Sequence, residues 1–264
     1  MNMNSTWLNP SVSTTNPFFF SSPPVPIRAS QMAATTTTTN KIIDSHLHVW
    51  ASPQQAMDKY PYFPGQEPSL PGNYDFLLHD GYRAVRFNPY LWPSGQLMTN
   101  EIGKAMFWKA GELGVPVGIM CMKGLNLHIS EIEKLCTEFP KTTLVLDHLG
   151  FCKPPTNEDE DKALSQLLEL SRFPQVYVKF SGLFRVSRNP FPYQDLCPLL
   201  SQLVSSFGAN RLMWGSDFPF VVQECGYKQA KEAVYVIANQ LPLSSSDLEW
   251  IMGKTAMQLF QGQS

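Results

Sequence analysis

The chain has 264 residues and a formal net charge of -2 at pH 7. That length allows one sizeable hydrophobic core, and the balanced charge gives no electrostatic footprint for nucleic acid or an anionic membrane surface. No apolar run approaches the roughly 20 residues of a membrane-spanning helix, and the five cysteines form no CxxC pair. We therefore expect a soluble protein whose thiols stay reduced in an intracellular compartment.

Residues 1–40 differ in composition from the rest of the chain. They are rich in Ser, Thr and Pro, with one arginine, Arg28, and no acidic residue. Such a leader is typical of organelle transit peptides, and the scarcity of arginine favours a plastid over a mitochondrion. The stretch VPIRAS, which ends at Ser30, resembles a processing site. We predict a plastid protein with a disordered leader and a folded domain over 41–264. A plain disordered tail is the alternative, and a start at Met32 would give a cytoplasmic form.

The folded domain opens with DSHLHVW at residues 44–50, directly after two isoleucines. Because side chains alternate across a strand, Asp44, His46 and His48 share one face of the predicted first strand. Two neutral imidazoles at positions i and i+2 can bind one divalent ion or donate hydrogen bonds to a substrate. The stretch therefore predicts a strand whose end opens onto a functional site, with Asp44 as an orienting group.

Five further apolar or β-branched runs, each bounded by turn residues, predict strands that alternate with helices. This alternation indicates parallel βα units. A last helix is expected to begin at Ser246, which forms a capping-box pattern with Glu249. The strand runs are YRAVRFNPY (82–90), VPVGIMCM (115–122), TTLVLDHLG (142–150), QVYVKFSGL (175–183) and RLMWGSDFP (211–219). The main helical runs are EIGKAMFWKAGELG, ISEIEKLCTEF, EDEDKALSQLLELSRF and PLLSQLVSSFG.

Polar residues recur where the predicted strands end. In a (β/α)8 barrel the active site is built at that end of the strands. We therefore predict an α/β fold of the (β/α)8 TIM-barrel type. An open doubly wound sheet is the competitor, but the chain contains no GxGxxG or P-loop sequence. The polar residues are His46, His48, Arg86, Asn88, His148, Lys179, Ser181 and Asp217.

The spacing of the strands predicts that the barrel is incomplete. The centres of the last five predicted strands are 32, 29, 32 and 35 residues apart, so one βα unit takes about 32 residues. From Ile43 to Met213 is 170 residues, which is little more than five such steps, whereas eight strands need seven. The stretch over 49–82 is rich in Pro and Gly and has one short helical candidate. Strands two and three are therefore predicted to be absent, which would leave exposed sheet edges.

Four motifs in this order resemble the amidohydrolase-related family: DSHLHVW, the DHLG at 147–150, the KFSGL at 179–183 and the RLMWGSDFP at 211–219. The resemblance spans about residues 41–260. It is greatest to the branch of metal-dependent lactonases and dicarboxylate-lactone hydrolases, in a plant-like version with about two βα units missing. The fold that this implies is a metallo-dependent hydrolase barrel.

The resemblance implies a site built from four residues of this chain. His46, His48 and His148 would bind a metal or hold a substrate carbonyl, and Asp217 would be a metal ligand or the general base. A helix N-cap is the alternative role for Asp217, and a backbone-bonded core histidine is the alternative for His148. Asp147 should point to the opposite face of its strand and serve the structure.

The resemblance also indicates how many metal ions to expect at the site and which residues are candidates for binding substrate. The run VPVGIMCM has no histidine and YRAVRFNPY has no lysine where binuclear members have ligands, so we expect one divalent metal, with zinc preferred, or none. Cys121 is more simply a core thiol than a soft ligand. Arg86, Tyr90 and Lys179 are candidates for binding a carboxylate or sugar hydroxyls, or else they are salt-bridged structural groups.

The predicted function is hydrolysis of a small lactone or a related ester or amide. Asp217 would activate water while the cluster of His46, His48 and His148 stabilises the oxyanion, with or without one metal. One alternative is an inactive truncated isoform of such an enzyme, and a second is a metal-dependent nonoxidative decarboxylase. The expected partner is a small molecule, and the sequence leaves the oligomeric state open.

Overall fold

The computed structural model describes residues 41–46 and 84–261. Several sequence predictions concern parts of the chain outside these residues and stay predictions. They are the leader over 1–40, the second histidine His48, and the stretch over 49–82 from which strands two and three are predicted to be absent.

Within the described residues, five short strands form one parallel sheet, and their order in the sheet is their order in the chain. The register is continuous, since Val117 pairs with Val85 on one side and with Leu144 on the other. The central strands are apolar and buried on both faces, as expected when helices cover a parallel sheet. All five predicted strands are confirmed, and each is shorter than the run that predicted it. They are β1 (Val85–Phe87), β2 (Val117–Ile119), β3 (Leu144–Leu146), β4 (Val176–Ser181) and β5 (Leu212–Gly215).

Helices alternate with the strands, so the chain repeats the βα unit of a (β/α)8 barrel. The predicted helices after β1, β2, β3 and β4 are confirmed as α1, α2, α3 and α5, whereas α7 was not predicted. The helices are α1 (Glu101–Glu112), α2 (Ile129–Glu138), α3 (Glu158–Glu169), α4 (Leu183–Val186), α5 (Cys197–Phe207), α6 (Val221–Glu224), α7 (Tyr227–Ala238), α8 (Ser245–Glu249) and α9 (Thr255–Gln261), with a π-helical turn (Trp250–Lys254) between the last two.

The last helical region begins two residues earlier than predicted. Ser244, not Ser246, is the N-cap of α8: its hydroxyl accepts the backbone N–H of Asp247, whose carboxylate accepts the backbone N–H of Ser244. The sequence SSSDLE contains two overlapping Ser-x-x-acid patterns, so the motif alone does not decide between them.

The strands and helices enclose one hydrophobic core. Ile119, Leu146, Val178 and Leu212, one from each of four strands, are completely buried, and Phe107 of α1 is buried with them. Burial of such side chains stabilises the fold by about 1.5–3 kcal/mol each. Among the helices that the structure describes, none is both long enough and apolar enough to cross a bilayer.

The opening segment, residues 41–46, lies beside β5, at the opposite side of the sheet from β1. Its described residues do not form a regular strand, but the backbone N–H of Ser45 donates to the carbonyl of Trp214 at 3.1 Å. The N–H of Asp217 donates in turn to the carbonyl of His46 at 2.8 Å, and Ile43 donates to Met252 at 2.9 Å. These bonds place His46 next to the carboxyl end of β5.

Two glycines leave room for this segment. A Cβ on Gly215, at the end of β5, would lie 2.5 Å from the Cβ of His46 and 2.8 Å from its backbone nitrogen. A Cβ on Gly253 would lie 2.1 Å from the carbonyl oxygen of Lys41. Real Cβ atoms do not approach other atoms so closely, so any side chain at these positions must displace the opening segment.

We predict that Gly215→Ala destabilises the protein by about 1–3 kcal/mol, because the added methyl group overpacks a site that cannot expand. Gly118→Ala in β2 is the matched control, since its Cβ would meet nothing closer than 3.7 Å. Urea unfolding followed by circular dichroism compares the two variants. Equal midpoints for both would contradict the close approach of the opening segment to β5.

Candidate active site

Three buried side chains from distant parts of the chain converge at the carboxyl end of the sheet. His46 comes from the opening segment, His148 follows β3 and Asp217 follows β5. One donor atom from each lies within 4.8 Å of the other two. The Oδ1 atom of Asp217 is 3.5 Å from Nε2 of His46 and 3.9 Å from Nε2 of His148. The structure therefore brings together three of the four residues predicted for the site, and His48 lies outside the described residues.

A left-handed turn gives His148 its position. Two residues after the end of β3, four consecutive residues, His148, Leu149, Gly150 and Phe151, have φ values of 50°, 55°, 61° and 61°. Three of these residues are not glycine, and for such residues a left-handed backbone is rare and occurs where the surrounding structure enforces it. Gly182, after β4, makes room for the ring, because a Cβ there would lie 2.5 Å from Nδ1 of His148. The same ring atom is 3.0 Å from the hydroxyl of Ser181.

Asp217 also has a left-handed backbone, with φ of 64°. It is not an N-cap, because α6 begins at Val221 and Phe220 occupies the capping position. One carboxylate oxygen, Oδ1, faces the two histidines, and the other accepts a hydrogen bond from Nε of Arg185 at 2.5 Å. Each oxygen of the buried carboxylate therefore has a separate role.

Asp44 orients the site without joining it. One of its carboxylate oxygens accepts the backbone N–H groups of His46 at 3.1 Å and Ser216 at 2.8 Å, and the other accepts the hydroxyl of Ser216 at 2.5 Å. This side chain joins the opening segment to the residue just before Asp217. The arrangement agrees with the orienting role predicted for Asp44.

The predicted orientation of Asp147 was wrong. Its carboxylate does not point away from the site: it is completely buried, 3.3 Å from Nδ1 of His46, 3.0 Å from Nε of Arg86 and 3.1 Å from Nζ of Lys179. The prediction assumed that side chains alternate as in a strand. However, β3 ends at Leu146, and the left-handed turn that follows removes the alternation.

Burial determines the charge state of the two histidines. It lowers the pKa of His46 to about 4 and the pKa of His148 to about 3, so both rings are neutral at pH 7. Burial alone would raise the pKa of Asp147, but the adjacent Lys179, His46 and Arg86 hold it well below its usual range. The site thus combines two neutral imidazoles with an ionised carboxylate that has cationic neighbours.

The structure places two of the three residues predicted to bind substrate at the site and the third outside it. Arg86 and Lys179 reach the site, where both pair with Asp147. Tyr90 has its contacts elsewhere: its hydroxyl accepts the backbone N–H of Lys123 at 2.8 Å, and the Lys123 ammonium lies over its ring. Cys121 is buried, and burial raises the pKa of its thiol to about 12, as expected of a core thiol.

Sequence reasoning missed Arg185. This residue lies in α4, the short helix after β4, and its guanidinium lies 5.0 Å from the ring centre of Phe184 and 4.9 Å from that of Phe220. Such contacts hold a cation in place. A basic residue four positions beyond a strand end was the available signal, but nothing in the sequence connects it with Asp217.

The donor set fits a divalent metal. Two neutral imidazole nitrogens and one carboxylate oxygen form a three-residue set typical of zinc enzymes, which leave a fourth position open. Ligands at about 2.0–2.2 Å from a tetrahedral ion are about 3.3–3.5 Å apart. The separations of 3.5 and 3.9 Å from Asp217 Oδ1 to the two Nε2 atoms are close to that range.

Comparisons with known proteins identify the family of this chain. The family model of the amidohydrolases matches residues 73–262. A 4-sulfomuconolactone hydrolase of Hydrogenophaga intermedia is 34% identical over 137 residues, which cover 50% of this chain and 41% of that protein. An L-fucono-1,5-lactonase of Burkholderia ambifaria is 32% identical over 96 residues, which cover 35% of this chain and 31% of that protein. The chain thus spans less than half the length of these curated relatives.

Solved structures show the same fold. A putative 2-pyrone-4,6-dicarboxylic acid hydrolase of Pseudomonas putida superposes with a TM-score of 0.57 at 24% identity, covering 70% of this chain and 65% of that one. An amidohydrolase of Burkholderia multivorans with bound zinc gives a TM-score of 0.55 at 22% identity, covering 71% and 68%. The described βα units therefore have the arrangement found in amidohydrolase barrels. Because the family model matches most of the chain, this protein belongs to the amidohydrolase family.

Proposed function

We propose that this protein is a hydrolase that opens a small lactone or cleaves a related ester or amide, with Asp217 as the group that accepts a proton from the attacking water. One observation supports this most directly: the buried Asp217 carboxylate turns Oδ1 toward two neutral imidazoles at the carboxyl end of a parallel sheet. The lactone hydrolases among the relatives support the choice of substrate class.

The side chains at the site have different roles in such a reaction. Oδ1 of Asp217 is placed to accept the proton, while Arg185 holds Oδ2 and so fixes the direction of the carboxylate. A general base in this position contributes roughly 10²–10⁴-fold to the rate. His46 and His148 border the space that Oδ1 faces, and burial excludes bulk water, so charge interactions there are stronger than at the surface.

A divalent ion would be held by His46, His148 and Asp217, together with His48 if the predicted ligand set is complete. When bound, such an ion polarises the carbonyl of the substrate. The zinc in the Burkholderia multivorans neighbour makes zinc the first ion to test. In the version without metal, the same histidines would hold the carbonyl by hydrogen bonds.

The alternative of an inactive shortened form also has an observation in its favour. The chain spans 41% of the sulfomuconolactone hydrolase, and the sheet in the described residues has five strands, not eight. Retention of His46, His148 and Asp217 in one buried cluster favours the active enzyme. A catalytic assay of the whole chain separates the two.

We predict that zinc at about 100 times its dissociation constant raises the unfolding midpoint by roughly 5–10 °C, because an ion that binds only the folded state adds about 2.7 kcal/mol of stability. His148→Gln should abolish the shift, whereas His128→Gln should keep it. His128 is the matched control because its Nδ1 lies 3.3 Å from Glu131, away from the site. Thermal unfolding with zinc and with a chelator measures the effect. The same shift in both variants would contradict binding at this cluster.

We predict that Asp217→Asn lowers lactone hydrolysis by about 10²–10⁴-fold, because the amide cannot accept the proton from water. Asp195→Asn is the control: that carboxylate accepts hydrogen bonds from Ser187 and Arg188. Acid release from a panel of sugar lactones and muconolactones, followed with a pH indicator, gives the rates. An Asp217→Asn enzyme within threefold of the wild type would rule out the proposed base. A folded wild-type protein inactive on the whole panel would favour the inactive form.

A further inference from the structure

Asp147 is the most deeply enclosed charge of the site, and the proposed reaction gives it no role. Its side chain is completely buried, yet it meets two cations and an imidazole. Oδ2 lies 3.0 Å from Nε of Arg86, and Oδ1 lies 3.1 Å from Nζ of Lys179 and 3.3 Å from Nδ1 of His46. A buried carboxylate with this many partners has to be explained.

The chemistry of the partners determines where the proton on His46 lies. Arginine and lysine side chains only donate hydrogen bonds, so Asp147 faces them as an ionised acceptor. An ionised acceptor beside Nδ1 favours a proton on that nitrogen of a neutral ring. On the other side of the ring, Nη2 of Arg86 lies 3.3 Å from Nε2. Because that group also only donates, it favours a lone pair on Nε2.

Two contacts favour the opposite tautomer, with the proton on Nε2 of His46. Both are longer than those above and are therefore weaker. Nζ of Lys179 is 3.5 Å from Nδ1 of His46, but it is closer to Asp147, at 3.1 Å, and the carboxylate is the stronger acceptor. Oδ1 of Asp217 is 3.5 Å from Nε2 of His46, which is long for a hydrogen bond. That separation is the one expected of two ligands on a tetrahedral ion.

We propose that Asp147 is a positioning residue that fixes His46 as the Nδ1–H tautomer, which leaves Nε2, 3.5 Å from Oδ1 of Asp217, unprotonated and able to ligate a metal. Lys179 and Arg86 keep the Asp147 carboxylate ionised and in place. A histidine that ligates a metal is commonly oriented by a carboxylate on its other nitrogen.

This assignment favours the version of the proposed function with a bound ion, and that last step rests on the proposed function. With the lone pair on Nε2, His46 can ligate a metal and cannot donate a hydrogen bond from that nitrogen to a substrate carbonyl. Of the described histidines in the cluster, His148 alone could then donate a hydrogen bond to the carbonyl. Lys179 and Arg86 form ion pairs with Asp147, so binding of a substrate carboxylate is not their first role.

The tautomer can be measured in the wild-type protein by nitrogen NMR of the histidine rings. Metal-free full-length protein at pH 8 is used, and the signals of His46 are identified by their loss in His46→Gln. We expect a proton-bearing Nδ1 and an unprotonated Nε2. A proton-bearing Nε2 in the wild type would overturn the proposal, whether or not any lactone is hydrolysed.

Asp147→Asn supplies the second test. The substitution removes the negative charge beside Nδ1 of His46, and with the amide oxygen at the position of Oδ2, paired with Arg86, the NH2 group takes the position of Oδ1 and faces Nδ1 as a donor. We expect the ring to switch to the Nε2–H tautomer, as occurs when the aspartate of a serine-protease triad becomes asparagine. Zinc affinity, measured by competition with a chelating dye, should fall about 10–100-fold.

Asp195→Asn is the matched control and should change neither the tautomer nor the zinc affinity. A stability loss in Asp147→Asn with an unchanged tautomer would mean a purely structural role and would overturn the proposal. An altered tautomer with unchanged zinc affinity would overturn the conclusion that Asp147 prepares His46 as a ligand. If Asp147→Asn does not fold, the wild-type measurement still decides, because it needs no variant at this position.

Discussion

The site depends on one contact between distant parts of the chain: the opening segment lies along β5. Backbone hydrogen bonds from Ser45 to Trp214 and from Asp217 to His46 establish this contact, and glycine at 215 makes the close approach possible. Without this contact, His148 and Asp217 would still lie after their strands, but His46 and the orienting Asp44 would not lie beside them. The contact therefore brings residues of the opening segment and residues at the end of β5 together in one site.

A second constraint is the balance of charge around two buried carboxylates. Asp147 and Asp217 are buried and ionisable, and three cationic side chains, Arg86, Lys179 and Arg185, surround them. Lys179 is the most buried of these cations, with 10% of its side chain exposed, and its removal would leave an uncompensated buried charge, which costs about 3–5 kcal/mol. The histidines avoid this cost by staying neutral. The network thus fixes two carboxylates at defined places beside two neutral imidazoles.

Much of the fold could be predicted because apolar runs and turn residues mark short parallel strands. Convergence of His46, His148 and Asp217 could be predicted too, because parallel strands end at the same edge. The orientation of Asp147 could not be predicted, because side chains alternate between faces only while the chain stays extended, and the turn after β3 is left-handed. Arg185 was missed because its pairing with Asp217 depends on the path of α4, which no local pattern specifies. The start of α8 was misplaced because two capping patterns overlap in SSSDLE.

Amide hydrogen exchange, followed by NMR on the full-length chain, tests directly whether the opening segment lies along β5. The account predicts slow exchange for the backbone N–H groups of Ser45 and Asp217, which donate to Trp214 and His46. Their protection should approach that of core amides such as Val117 in β2. Exchange of the Ser45 and Asp217 amides at the rate of an unstructured peptide, while Val117 stays protected, would contradict the docking of the opening segment and the site that depends on it.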